Sequence, residues 1–264
     1  MASLAQQSLH PAAGDERLFL RGAIVMTLVI VAGFSFQLAM GRSTFAAPLP
    51  VHAHAIVFMG WVVIYLAQNV FVATGRMHLH RRLGYVAAAW VVPMIVLGYV
   101  VTVEMVRRGH VPFFFRPLQF LVFDVLGVLT FAGLTVAAIV MRRRTQWHRR
   151  LHFCAMTVLT TPAFGRLLPM PLLQPWAWEV AFMVSMVFPA AGAWVDLRRN
   201  GRVHPAWYWG IATMLAAFAL TEVVTYSAVG TSIYQEVTEG SPGAAVPPLH
   251  FAAPPADSLV TGRS

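Results

Sequence analysis

The 264-residue sequence contains no lysine and a single cysteine, and only 11% of its residues are charged. One cysteine excludes both a disulfide framework and a thiolate metal site. A Gly-rich phosphate loop, a His-Glu-X-X-His helix and a Gly-X-Ser-X-Gly turn are also absent. These absences exclude the nucleotide-binding, zinc-protease and α/β-hydrolase classes that such motifs mark.

Apolar runs dominate what is present, because hydrophobic residues make up 58% of the chain. Several runs approach or exceed eighteen residues, the length needed to cross about 30 Å of hydrocarbon. The sequence therefore predicts an all-α, polytopic membrane helix bundle with about seven transmembrane helices. The predicted spans are residues 21–41, 54–74, 83–105, 117–141, 150–168, 177–197 and 206–229.

The arginines predict how this bundle is oriented. Thirteen of the nineteen lie in the amino-terminal segment with its flank and in the second, fourth and sixth loops, and six lie on the alternate side. Positive charge is retained on the cytoplasmic face, so the amino terminus is predicted inside and the carboxy terminus outside a bacterial inner membrane. The net charge of +9 is then explained by contact with the lipid bilayer, not with nucleic acid.

Three regions follow from these spans: a cytoplasmic segment (1–20), a transmembrane bundle (21–230) and an external tail (231–264). The tail is rich in Pro, Gly and Ala without periodicity, which predicts disorder. Small residues after the first apolar run are typical of a signal peptide. Because this run is longer than a signal core and Arg42 follows it directly, we expect a retained helix.

The tetrapeptide His-Arg-Arg-Leu occurs twice, at 80–83 and 148–151. Anchoring at lipid headgroups explains the arginines but leaves the histidines to chance. A duplicated helix pair would explain both copies and would bring His80 and His148 to one membrane level. His152 lies one turn beyond His148 on the same face, so a ligand site between facing helices is predicted there.

A second histidine layer lies on the other side, in "LPVHAHAIVFMGW". His52 and His54 cannot face one point of a helix, since two residues turn about 200°. A stripe at helical spacing begins at His54 and is aromatic and polar, so it is predicted to face the bundle. It indicates either buried packing or the wall of a cavity for a flat apolar cofactor. Its members are His54, Phe58, Trp61, Tyr65, Gln68 and Val72.

Ionisable residues within the spans are the strongest polar signal, because each costs several kcal/mol unless it is paired. Asp124, Arg166 and Glu222 are all predicted in the same half of the membrane as His54. A structural clasp between Arg166 and one of the two carboxylates is one interpretation. The other is a site for an anion, a quinone or a haem propionate.

These motifs resemble a bacterial family of predicted multi-pass membrane proteins of unknown function. The residues that carry the resemblance are His54 (or His52), the segment His80-Arg81-Arg82-Leu83-Gly84, the segment His148-Arg149-Arg150-Leu151, and Arg166. The resemblance covers roughly residues 50–170 and implies a fold and a membrane location without an established activity. A weaker similarity is to membrane cytochrome b and ferric-reductase-like bundles, which place bis-histidine haems near both faces.

Three functions are compatible with this pattern. The first is a redox protein binding b-type haem, with His54, His80, His148 and His152 as candidate iron ligands and Trp61 beside the porphyrin. The second is a transporter or small-molecule-binding protein whose polar cluster is Asp124, Arg166 and Glu222. The third is an accessory protein without chemistry of its own.

Overall fold

The computed structural model describes residues 13–41 and 45–254, and within these ranges the chain is helical without any β-strand. This confirms the predicted all-α class. Two short 3₁₀ turns (Met141–Arg143 and Met170–Leu173) join α-helices, and a third (Pro242–Ala245) follows the last one. The α-helices are α1 (Ala13–Ala39), α2 (Leu49–Ala73), α3 (Met77–Arg107), α4 (Pro117–Val140), α5 (Thr145–Val158), α6 (Thr161–Leu167), α7 (Ala177–Ser185), α8 (Val187–Asn200), α9 (Pro205–Thr225) and α10 (Ala228–Thr238).

Six helical stretches of the described chain are long and apolar enough to cross a membrane, so the protein is a multi-pass membrane protein. Five of them are the helices α1, α2, α3, α4 and α9, and the sixth consists of α7 and α8 together. The predicted span at 150–168 is instead divided between α5 and α6, each shorter than a bilayer requires.

Contacts along α1 show that α5 and α6 together still run the length of the bundle. Phe19 packs edge-on against Phe153 of α5, and the Arg166 guanidinium near the end of α6 lies over Phe34. The first part of α1 therefore contacts α5 and its last part contacts α6, so α5–α6 runs parallel to α1. We call the end where α1 begins the arginine-rich end, and the other the opposite end.

The helix pair α7–α8 runs antiparallel to α5–α6. Arg150 near the start of α5 bonds to Asp196 near the end of α8, and Thr161 at the start of α6 bonds to Ser185 at the end of α7. α5 also packs against α4, α8 and α9. The divided crossing is thus at the centre of the bundle, although its two pieces are short.

Glycine allows α1 to approach α6 closely. A Cβ atom on Gly33 would lie 2.7 Å from the carbonyl oxygen of Ala163, which is far inside van der Waals contact. The two backbones therefore touch with no side chain between them. Small residues at helix contacts are typical of membrane bundles.

Two antiparallel hairpins, α2–α3 and α4–α5, form much of the core. In each hairpin the second helix carries His-Arg-Arg-Leu in its first turns. The indole of Trp90 on α3 donates to the Val57 carbonyl of α2 at 2.9 Å. This arrangement is the one expected from the predicted duplication of a helix pair, which itself stays a prediction.

The segment after α9 is ordered to residue 254, in contrast to the disorder predicted from residue 231. Helix α10 buries Tyr234, whose hydroxyl donates to the carbonyl oxygens of Gly243 and Val246 at 3.3 and 3.2 Å. The Leu118 amide donates to the Pro248 carbonyl at 2.9 Å. These hydrogen bonds order a Pro- and Gly-rich segment that has no periodic apolar face. Residues 255–264 of the predicted tail, and 1–12 of the predicted amino-terminal segment, lie outside the described residues.

Candidate functional site

Three histidines from α3 and α5 lie together near the arginine-rich end. The ring centroids of His80 and His148 are 6.2 Å apart, and those of His148 and His152 are 4.8 Å apart. Both ring pairs are close to perpendicular. The structure confirms that His80 and His148 lie close together, as the repeated motif predicts.

The hydrogen bonding of His148 fixes which of its nitrogens is free. Its Nδ1 atom lies 2.8 Å from the carbonyl oxygen of Ala138 on α4. A carbonyl oxygen only accepts, so Nδ1 carries the proton and donates it. The neutral ring then presents an unprotonated Nε2, the form in which histidine binds metals.

Two polar atoms beside these rings are buried without a hydrogen-bond partner: Nδ1 of His80 and Oε1 of Gln68. The Gln68 amide nitrogen lies 3.7 Å from where a Cβ on Gly84 would be, one turn after His80. Leaving such an atom unpaired costs roughly 1–3 kcal/mol. Buried unsatisfied groups of this kind are typical of places where water or a ligand binds.

The predicted stripe on α2 does face the bundle. Trp61 and Tyr65 are buried, whereas Ile56 and Val63 on the other side of the helix are 69% and 66% exposed. Trp61 packs edge-on against Phe131 of α4 at 5.0 Å, and its indole nitrogen has no hydrogen-bond partner. The stripe therefore lines the core from His54 to Gln68.

His54 lies at the other end of this stripe, apart from the three clustered histidines. Its Nδ1 is 3.4 Å from the Leu97 carbonyl oxygen, and its ring stacks on Phe58 at 4.1 Å. Fourteen residues separate His54 from Gln68, which is about 21 Å of helix. The predicted ligands thus fall into two layers, with His54 alone in its layer.

The arginines of the second motif are not simple headgroup anchors. Arg150 is 1% exposed and forms a two-point ion pair with Asp196, with Nε to Oδ2 at 2.8 Å and Nη2 to Oδ1 at 2.7 Å. The Trp207 indole donates to the same Oδ2 at 2.9 Å. A planar guanidinium suits this bidentate pairing, so Arg150 joins α5, α8 and α9.

Arg149 extends the network to α1. It forms an ion pair with Asp15, and its guanidinium lies over the ring of Phe19. At the edge of this network His204 caps α9, because its Nδ1 accepts the Ala206 amide at 3.1 Å. Burial, and then the positive charge of Arg150, lower the pKa of His204.

The first motif differs, since Arg81 and Arg82 are both exposed. Headgroup anchoring, which the sequence indicates for both copies, is compatible with these two arginines only. The reason is that α5 is surrounded by helices on every side, whereas α3 presents this face outward. Acidic residues within the spans could have indicated the difference, because Asp196 needs a buried cation.

The predicted members of the Asp-Arg-Glu cluster have separate partners. Asp124 accepts from Thr102 at 3.3 Å, while Arg166 donates to the Pro162 carbonyl of its own helix at 2.8 Å. The two act on each other electrostatically, but among the described residues no carboxylate lies within 4.0 Å of Arg166.

Glu222 belongs to a different group, which the sequence did not indicate. The Gln119 amide donates to both Glu179 and Glu222, at 3.1 and 3.4 Å, and the Trp178 indole donates to Glu222 at 3.2 Å. Gln119 is almost fully buried. The predicted clasp of Arg166 with Glu222 is therefore not formed.

No group of three or more His, Cys, Asp or Glu side chains in the described ranges is arranged to hold a metal ion. The histidine cluster is thus not a ready cage for a bare metal. It does offer two imidazoles, from different helices, to a cofactor that brings its own remaining ligands.

Comparisons of the chain with protein-family models, with curated proteins and with solved structures found no match. The function is therefore inferred from the sequence and the geometry of the site.

Proposed function

We propose that this membrane protein binds a b-type haem between His80 and His148 and has a redox role. The observation that carries the proposal is the 6.2 Å separation of the two ring centroids on different helices. When two imidazoles bind one metal from opposite sides, their ring centroids are about 6 Å apart. Each metal–nitrogen bond is about 2 Å long, and each ring adds its own radius. No side-chain hydrogen bond joins these two rings in the structure.

The surroundings of the two rings also fit axial ligation. An Nδ1 proton given to a backbone carbonyl, as in His148, orients the ring and raises the basicity of Nε2. His80 and Gln68 contribute buried polar atoms that lack partners. Haem supplies four of its iron's ligands itself, so two histidines suffice where a bare metal would need three or more protein ligands.

In this proposal the residues have distinct roles. His80 and His148 would hold the iron, which when bound exchanges single electrons. His152, 4.8 Å from His148, would act as a neighbouring hydrogen-bonding group. Trp61 would lie farther along the stripe, towards the bundle core, and His54 would take no part in this site.

An absorption spectrum tests the proposal. The protein is expressed with a haem precursor, purified in detergent and measured in oxidised and reduced forms. We expect a Soret band and a b-type reduced spectrum, both lost in His80→Ala and His148→Ala. The exposed His78, two residues before His80, gives the matched control, because His78→Ala should keep the spectrum.

Purified wild-type protein without haem absorbance, or haem retained in the double variant His80→Ala/His148→Ala, would overturn the proposal. His54→Ala distinguishes the two layers. Loss of haem in that variant alone would place the cofactor at the opposite end.

The membrane and orientation are part of the same proposal. We propose a bacterial inner membrane with the amino terminus in the cytoplasm, supported by the arginines concentrated at one end of the bundle. A quinone is the small-molecule partner that we propose for this redox role. The alternative function is transport of a small molecule, supported by the charged residues Asp124 and Arg166 within the apolar spans.

A further inference from the structure

Two neighbouring helices of the bundle are interrupted at the same depth. The crossing α5–α6 is interrupted at Leu159 and Thr160, and α7–α8 at Met186. Both α5 and α8 have fourteen residues and extend from the arginine-rich end. Each interruption therefore lies about 21 Å from that end, well inside the apolar region.

Proline accounts for both interruptions. Pro162 and Pro189 have no amide proton, so the carbonyl groups four residues earlier, those of Val158 and Ser185, lose their intrahelical donors. Carbonyl oxygens freed in this way inside a membrane must be satisfied by neighbouring groups or by a ligand. Discontinuous membrane helices are typical of cation and substrate sites.

The two interruptions face each other through hydroxyl groups. The Thr161 hydroxyl donates to the Ser185 hydroxyl at 3.2 Å, which in turn donates to the Phe182 carbonyl at 2.6 Å. The Thr160 hydroxyl donates to the Thr157 carbonyl at 2.7 Å. Because these hydroxyl protons are all used, the hydroxyls offer only acceptor lone pairs to a further group.

A carboxylate lies on α4, the helix beside this group of oxygens. A Cβ on Gly127 of α4 would be 4.0 Å from a methyl of Val158, so α4 passes directly beside the interruption of α5. Asp124 is one turn from Gly127, and its only described hydrogen bond is the 3.3 Å contact with Thr102. Asp124 also acts on Arg166 electrostatically, so its negative charge is shared between that guanidinium and a site made of neutral oxygens.

We propose that the paired interruptions bind a small monovalent cation, Na⁺. Its ligands are the carbonyl oxygens of Val158 and Ser185 and the Thr161 hydroxyl, and Asp124, which also acts on Arg166, supplies the negative charge. Acceptor oxygens without free donors favour a cation over an anion. The site differs from the histidine cluster and does not depend on haem binding.

Thermal unfolding in detergent tests this site. The melting temperature is measured while NaCl replaces N-methyl-D-glucamine chloride at constant ionic strength, with KCl in parallel. A ligand that binds only the folded state raises the melting temperature with its concentration. We expect a saturable rise in melting temperature with Na⁺ and a smaller rise with K⁺. In Asp124→Asn the response to Na⁺ should be weaker by about tenfold or more.

Replacing the prolines gives variants that should fold at least as well as the wild type. Pro162→Ala and Pro189→Ala return amide donors to the two carbonyls, so the double variant should be more stable in the absence of Na⁺ but lose its Na⁺ response completely. The matched control is Pro93→Ala, because Pro93 lies inside the uninterrupted helix α3 and its removal should leave the Na⁺ response intact.

Binding of ²²Na⁺ to detergent-purified protein provides a second measurement that does not depend on unfolding. Wild-type protein that binds no ²²Na⁺ would overturn the proposal. Equal melting temperatures in Na⁺, K⁺ and N-methyl-D-glucamine would mean that only ionic strength affects stability, and would reject the site. Retention of the Na⁺ response in the double proline variant would also reject it.

Discussion

Arg82 and Arg150 occupy the same position in the two His-Arg-Arg-Leu motifs, yet their environments are opposite. Arg82 is exposed, whereas Arg150 is almost fully buried and paired with Asp196. Removing one partner of a buried ion pair strands the other charge. The importance of the motif's second arginine therefore depends on which copy it belongs to.

We predict that Arg150→Leu destabilises the protein by about 3–5 kcal/mol, while Arg82→Leu changes its stability by less than about 0.5 kcal/mol. The measurement is thermal unfolding of the detergent-purified protein. Adding Asp196→Leu to Arg150→Leu should recover much of the loss, because no unpaired charge is then left. A double variant as unstable as the single one would contradict the pairing.

The residues of the site differ in how far the sequence could predict them. Repetition and spacing predicted the cluster of His80, His148 and His152, because both motifs begin the second helix of a hairpin. The same reasoning could not predict that Asp196 pairs with Arg150. That contact depends on how α8 packs against α5, and no periodicity in the sequence records it.

At the scale of helices, apolar length predicted the five uninterrupted spans, α1 to α4 and α9, closely. It did not predict that α5–α6 and α7–α8 are each interrupted. Hydropathy is averaged over a window of residues, so a single residue that ends a helix, such as Pro162, does not stand out. The prolines were visible in the sequence, but a proline inside an apolar span does not always interrupt the helix, as Pro93 in α3 demonstrates.

The contact between α1 and α6 gives a prediction at the same scale. Gly33→Ala should destabilise the protein by about 1–3 kcal/mol, because the new methyl meets the Ala163 carbonyl. The control is Gly133→Ala in α4, where nothing lies within 4 Å of the added Cβ. It should be neutral or stabilising by up to about 1 kcal/mol.

Unfolding by SDS or heat measures both glycine variants against the wild type. Equal stability of the two variants would mean that α1 is not held against α6 as the structure has it. Loss of stability in Gly133→Ala alone would contradict the packing of α4 instead.

For the whole molecule, the arginines predict the orientation that the helix directions alone leave open. α1 runs parallel to α5–α6 and antiparallel to α7–α8, so the arginine-rich loops are all at one end. Positive charge near short loops is retained on the cytoplasmic side. The distribution of arginines, not the fold, therefore determines which end is inside.

We predict that reporter fusions after residues 78, 146 and 201 are cytoplasmic, and that fusions after residue 110 and at the carboxy terminus are external. Paired alkaline phosphatase and green fluorescent protein fusions provide the measurement, since each is active on one side only. A cytoplasmic carboxy terminus would contradict the orientation and the odd number of crossings.

The pairing of Arg150 with Asp196 also constrains the order in which the chain enters the bilayer during its synthesis. The two residues are 46 positions apart, so the ribosome needs roughly 2 to 9 s to reach the second after the first. Until then Arg150 has no buried counter-charge. The α5 segment should therefore wait at the membrane surface or inside the translocon, and descend together with α8 as a neutral pair.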